Sequence, residues 1–317
     1  MKARLLNSTR IEGILYQHNL ELKVSGPNSK KPGTEFISGT IDIATNDAMT
    51  NIVPVHFTYV TATTATGKEN ATFGTLKNII DKKIGCYTDP EVGDNAAKLR
   101  VDSAIGLNEF YSDRTGAEEL VSVKRNEGGF VHIVQNVAAS EGLRDTFIAD
   151  MIITKTIRQE ADPDNNKEEK MIVSGYVFDF RNALLPVDFM VYAPAGMDMF
   201  ESFDASEKNP VFVEVQGHQV SKTVTRTRIS ESSGGWGEPV AQEVTSSQRE
   251  FVISRVSDPY DWDTEETITA TEYQAALQAR EVVKAEIKQR QDEYNATRAQ
   301  TQTPTATPAG GANGFNF

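Results

Sequence analysis

The chain has 317 residues, 38% of them hydrophobic and 24% charged, which suits a globular protein of two ordinary domains. No apolar run approaches the roughly 18 residues of a membrane helix, and the opening "MKARLLNSTRIEG" lacks the apolar segment of a secretory signal, so a cytoplasmic protein is expected. The single cysteine, Cys86, excludes an internal disulfide, and four scattered histidines leave no clustered zinc or iron site.

The acidic stretch "EADPDNNKEE" lacks the glycine and terminal glutamate of a calcium loop and reads as a solvated turn, so neither a metal nor a cofactor is expected. The net charge of −13 is unevenly spread: residues 1–140 carry −1, residues 141–262 carry −9 and residues 263–317 carry −3. A local basic groove is compatible with that total, because phosphate contacts depend on where cations cluster.

In chain order, "RIEGILYQHNLELKV" predicts an opening strand. "FISGTIDIA" alternates Ile37, Ile41 and Ile43 against Ser38, Thr40 and Asp42, and "NIVPVHFTYV" places Val53, Val55, Phe57 and Tyr59 on one face. A short helix follows in "ATFGTLKNIIDKK", then strands in "NAAKLRVDSAIGLNEFY" and "GGFVHIVQ". The same six elements then recur. "DTFIADMIITKTIRQ" opens the second copy, Ser174-Gly175 matches Ser38-Gly39, and Pro186 matches Pro54. "AGMDMFESFD" is the helix, and Asn209 in "NPVFVEVQGHQVSK" matches Asn95 before "REFVISRV" closes the set.

Strand, strand, strand, short helix, strand, strand is the order of the OB-fold, a five-stranded Greek-key barrel. The expected fold is therefore mainly β: two tandem OB-fold-like barrels at 1–140 and 141–262, a C-terminal helix at 263–299 and a disordered tail at 300–317.

OB-folds bind oligonucleotides or oligosaccharides across their second and third strands and flanking loops. In the first copy the outward set there is Ser38, Thr40, His56 and Thr58. In the second it is Tyr176, Phe178, Met190 and Tyr192, which either stack bases or lie under a covering protein surface. The loops supply cations and rings. Lys30 and Lys31 sit in "SGPNSKKPGTE", Lys98 and Arg100 lie on the outward side of their strand, and "LVSVKRNEGGFVHI" presents Lys124 and Arg125 beside Phe130 and His132 on a Gly-Gly hinge. "SKTVTRTRISESSGGWGEPV" aligns Lys222, Arg226 and Arg228 on one face and ends at Trp236. Such a basic, aromatic-tipped hairpin suits cations on phosphate and an indole on a base.

From Thr269 the chain reads as a helix, with Thr269 and Glu272 forming a capping box and Tyr273, Leu277, Val283, Ile287 and Tyr294 an interrupted apolar stripe that packs on a barrel or pairs two subunits. "AQTQTPTATPAGGANGFNF" is aperiodic and ends in Phe315 and Phe317. A polar tether with a terminal aromatic resembles the tails of bacterial and phage single-stranded DNA-binding proteins, which dock replication and repair partners, although those tails are acidic before the terminus and this one is not. With its barrels and basic loops, the chain resembles a phage-type single-stranded DNA-binding protein. That resemblance implies sequence-independent coating of single strands in replication or recombination, in the host cytoplasm, without catalysis. The alternative is a phage structural or assembly protein whose barrels bind protein.

Overall fold

The protein is described in a computed structural model over residues 5–27, 29–112, 118–162, 168–230, 240–262 and 268–301, with the backbone alone at 224–230, 240–244, 246 and 297–301. Eleven strands form one continuous sheet that closes on itself twice.

The first ring contains β1 (Asn7–His18), β2 (Glu21–Val24), β3 (Glu35–Ala44), β4 (Ile52–Thr61), the helix α1 (Ala71–Ile80), β5 (Lys98–Ser112) and β6 (Glu119–Ile133). β1 pairs with β3, β3 with β4, β4 with β6 in parallel, β6 with β5, and β5 with β1 again. β2 continues β1 along the same edge of β3, with His18 opposite Ile41 and Glu21 opposite Ser38, so the single opening strand expected from the sequence is present but interrupted at 19–20. Alternation drives one side of every strand but the short, exposed β2 inward: Ile11, Leu15, Ile37, Ile41, Ile43, Val53, Val55, Phe57, Leu99 and Val101 make one core with Leu76 and Ile79 of α1. Asn70 starts that helix by accepting a hydrogen bond from the Thr72 backbone N–H at 3.2 Å.

The second ring repeats the first. β7 (Asp145–Gln159), β8 (Lys170–Phe178), β9 (Leu184–Val191), α2 (Pro194–Ser202), β10 (Val211–Ser230) and β11 (Val240–Val256) follow the same circuit, again with a parallel pairing of third and fifth strands. Phe147, Phe189 and Phe251 meet at its centre with ring centroids 5.1 to 5.8 Å apart. This connectivity is that of the OB-fold in both copies. It also explains the repeated Ser-Gly. A Cβ on Gly39 would lie 2.6 Å from the Asn19 carbonyl oxygen, and one on Gly175 would lie 2.0 Å from that of Ile152, so each glycine lets the second strand press against the backbone of the first.

The barrels join through their first strands, which pair antiparallel from Asn7 opposite Ala149 to Ile11 opposite Asp145. Polar side chains complete the seam. Asn51 donates to Asp145 at 2.7 Å and to the Gln219 carbonyl at 3.1 Å, and Asn126 and Gln219 exchange hydrogen bonds of 2.8 and 3.0 Å. Each barrel's long final hairpin thus reaches the other barrel.

Two expectations are corrected here. "LVSVKRNEGGFVHI" is strand β6 rather than a hinged loop. Gly128 and Gly129, with φ of 66° and 115°, form a bulge within it, and a Cβ on Gly129 would collide with the Asp102 carbonyl oxygen at 2.2 Å. The second correction concerns the outward face of β8 and β9. The helix α3 (Ala270–Thr301) begins at the expected capping box, Thr269 Oγ1 accepting from the Glu272 N–H at 3.2 Å and Glu272 Oε2 from the Thr269 N–H at 2.9 Å. Its first turns lie on barrel two, where Tyr273 joins Leu5, Ile152, Phe178, Leu184, Phe212 and Ile268 in a third core outside the barrel. Phe178 is completely buried there, because the chain itself covers the apolar face that the alternation exposed.

Candidate nucleic-acid interface

Because α3 covers the Tyr176–Phe178 end of the outer β8–β9 face, the corresponding face of the first barrel is the more open one. On it Thr40 stands opposite His56, and their side chains meet at 3.0 Å from Thr40 Oγ1 to His56 Nδ1. The register slips between Ile37 and Gly39, so that Thr58 and Tyr59 together oppose Ser38. This bulge turns Tyr59 outward, against the alternation that placed it with Phe57. Tyr59 is 48% exposed, and its ring lies 4.5 Å from that of Phe36. The result is an aromatic pair on a polar sheet face, and the exposed Lys30 and Lys31 lie in the loop that leads into β3.

Arginines flank the other side. Arg125 of β6 pairs with Glu127 at 2.8 Å, and Glu127 also accepts from Thr58 at 3.0 Å. The His56 imidazole is held below its ordinary proton affinity, first by burial and then by the positive charges of Arg125 and Arg249. Arg249 belongs to the second barrel, opposite Ser221 on the base of the β10–β11 hairpin, where the Ser221 N–H bonds to Asn51 at 2.6 Å. Both barrels therefore contribute to one surface. Lys222 is exposed on the same hairpin, and Arg226 and Arg228 follow on β10, paired in the backbone with Val244 and Gln242.

The model of one protein family, YorF, matches residues 6–290. The chain belongs to the YorF family. No curated protein matches its sequence. Among solved structures this YorF-family chain is similar to a deletion mutant of the single-stranded DNA-binding protein from Thermus aquaticus, at 9% identity and a TM-score of 0.45, covering 83% of this chain and 99% of the other. It is similar to the wild-type form of the same protein at 10% identity and a TM-score of 0.44, over 83% and 97% of the two chains.

The remaining sequence-derived residues of the YorF-family chain divide between three places. Arg100 and His132 lie on the β1–β5–β6 face, where both approach Asp102, at 3.2 and 3.7 Å, beside a 69% exposed Phe130. Lys98 is half-buried on the same strand as Arg100. Tyr176 packs edge-on against Tyr273, with centroids 6.4 Å apart, so with Phe178 it belongs to the covered face and not to a solvent-facing one. Lys124 is also corrected. Its ammonium donates to the Asp188 carbonyl of the second barrel, and burial depresses its proton affinity against the pull of Asp188 and Glu250. Trp236, Phe315 and Phe317 lie outside the described residues.

Sequence reasoning missed Phe36, Tyr59 and Arg249. Only the aromatic content of "EFISG" and "FTYV" hinted at the first two, since the bulge that pairs them depends on barrel closure. Among the described residues no group of His, Cys, Asp and Glu could hold a metal ion, and no helix is long and apolar enough to cross a membrane.

Proposed function

We propose that the chain binds single-stranded DNA without regard to sequence, on the open β3–β4 face of the first barrel. The observation that carries this reading is the pair of exposed Tyr59 and half-buried Phe36, set on a polar sheet face between the Lys30–Lys31 loop and the Arg125–Arg249 flank. Rings of this kind stack on any base, and the flanking cations meet the backbone phosphates. The acidic total of −13 is no obstacle, because its excess lies beyond residue 140. In this reading the protein serves DNA replication or recombination, phage-encoded and in the host cytoplasm, and its C-terminal tail and the outer part of α3 contact protein partners or a second copy.

Fluorescence anisotropy with labelled oligo-dT tests the proposal. Binding should weaken with salt and exceed duplex binding. Phe36→Ala with Tyr59→Ala should lower affinity about tenfold or more, since each stacked base is worth roughly 1–3 kcal/mol. Absence of binding at low salt overturns the proposal in favour of an assembly role.

A pH dependence follows from His56. A phosphate nearby would stabilise its protonated form and raise a proton affinity that burial has lowered, so binding takes up a proton. Affinity should therefore rise as pH falls below about 6.5, the ordinary histidine value. His56→Ala should flatten that rise, and an unchanged slope in the variant would remove His56 from the interface.

A further inference from the structure

A second open surface crosses the seam between the barrels. A groove of about 1060 Å³ runs between the β5–β6 hairpin, the β8–β9 turn and α3, and a smaller one of about 480 Å³ lies over the paired β1 and β7. They meet at Ser8 and Asp102, which line both. The ladder registers show one row of side chains running through them: Phe130 stands opposite Asp102, Asp102 opposite Arg10, Arg10 opposite Thr146, and Thr146 opposite His218. Directly opposed residues point to the same side of a sheet, so the row is a continuous outward track over five strands, about 19 Å at the usual spacing of about 4.8 Å.

Two exposed phenyl rings line the larger groove from different barrels, Phe130 at 69% and Phe180 at 63% exposure. Arg181 stacks on Phe180 at 4.8 Å from guanidinium to ring centroid. The carboxylates of the groove are already engaged. Asp102 takes Arg10 and Arg100 at 3.2 Å each, Glu127 takes Arg125, Glu109 takes Arg280, and Asp179 accepts the Arg181 and Ala183 backbone N–H groups at 2.7 and 2.8 Å. Arg181, with no carboxylate partner among the described residues, is left at the groove, and Arg255 is exposed at the other end of the track. Exposed rings with uncompensated guanidinium groups match a ligand that is planar and anionic at once, which describes a nucleic acid strand better than a peptide.

We propose that a single strand also crosses this seam, its bases stacked on Phe130 and Phe180 and its phosphates on Arg181 and Arg255. This rests on the reading of the chain as a single-strand binder and adds a second track on a different face of the first barrel. Longer strands then engage both tracks, and short ones only the β3–β4 face.

The test uses the full chain and oligo-dT of about 6 and about 20 nucleotides, the first near the lower end of the roughly 4–16 nucleotides of single OB-fold sites and the second beyond its upper end. Phe130→Ala with Phe180→Ala should weaken binding of the longer strand about tenfold and leave the shorter unchanged. Arg181→Gln with Arg255→Gln should reduce the slope of log affinity against log salt by about 1.4 for the longer strand, two phosphates at roughly 0.7 each. Photo-crosslinking with 5-iododeoxyuridine oligonucleotides, read by peptide mass spectrometry, should yield adducts at Phe130 or Phe180. Unchanged long-strand affinity with no adduct at either ring overturns the seam track alone, provided the short strand still binds and depends on Phe36 and Tyr59. If the wild-type chain binds neither length, this track and the proposed function fall together.

Discussion

Replacing Arg280 with alanine should destabilise the protein by about 3 kcal/mol and loosen α3 from the barrels. The guanidinium grips both oxygens of Glu109, with Nη1 to Oε2 at 2.8 Å and Nη2 on Oε1, and the two side chains are only 6% and 8% exposed. Arg280 lies on α3 and Glu109 on β5, so this pair ties the C-terminal helix to the first barrel while Tyr273 ties it to the second. Removing one partner of a buried pair leaves the other charge unsatisfied, at a cost of about 3–5 kcal/mol, and the lower end applies because the pair sits at the rim of a groove. Burial alone would raise the Glu109 carboxyl, yet hydrogen bonds from Arg280 and Ser122 hold it below the ordinary glutamate value. With a depressed folded-state value, the contribution of the pair is complete above the unfolded glutamate range and disappears as pH falls through the folded one. Chemical denaturation of Arg280→Ala should therefore show a large loss at neutral pH that shrinks in acid. The apolar double replacement Glu109→Leu with Arg280→Met should recover most of the loss, since it leaves no unpaired charge. A single variant within about 0.5 kcal/mol of wild type would mean that the pair does not anchor α3.

The arrangement also accounts for how two copies of one barrel come to present different surfaces. The opening strands pair with each other, the long hairpins cross reciprocally, and α3 then covers part of the outer β8–β9 face while the equivalent β3–β4 face stays open. The order of strands and helices was legible because the barrel strands carry their own alternation and each helix its own start signal: Ile37, Ile41 and Ile43 all point inward, Asn70 caps α1, Pro194 opens α2, and the Thr269–Glu272 capping box starts α3. Bulges were not legible. Tyr59 continues a perfect alternation in the sequence and yet faces outward, and Gly128-Gly129 reads as a hinge and yet lies inside a strand, because the extra residue is demanded by barrel curvature and not by its neighbours in the chain. Lys124 shows the same limit for charge. Nothing local distinguishes it from Arg125, but one reaches across to the second barrel and the other stays on the first.

Phe178 and Phe130 make the sharpest comparison, since both lie on outward positions of strands and both read as exposed rings. Phe178→Ala should cost about 3–5 kcal/mol of stability, the usual range for removing a fully buried phenyl, because Phe212 at 6.1 Å and the residues around Tyr273 cannot close the space without moving α3. Phe130→Ala should change stability by about 0.5 kcal/mol or less, because a ring that is 69% exposed loses little contact on truncation. Urea denaturation measures both, and the denaturant slope reports whether α3 detaches, since exposing the third core in the folded state lowers the surface left to expose. A slope unchanged in Phe178→Ala together with a loss near 3 kcal/mol means a cavity under a helix that stays in place. A lowered slope means that the covering of the second barrel depends on this one ring. Stability equal to wild type would show that the face is not sealed, and would return Tyr176 and Phe178 to the set of rings a single strand can reach.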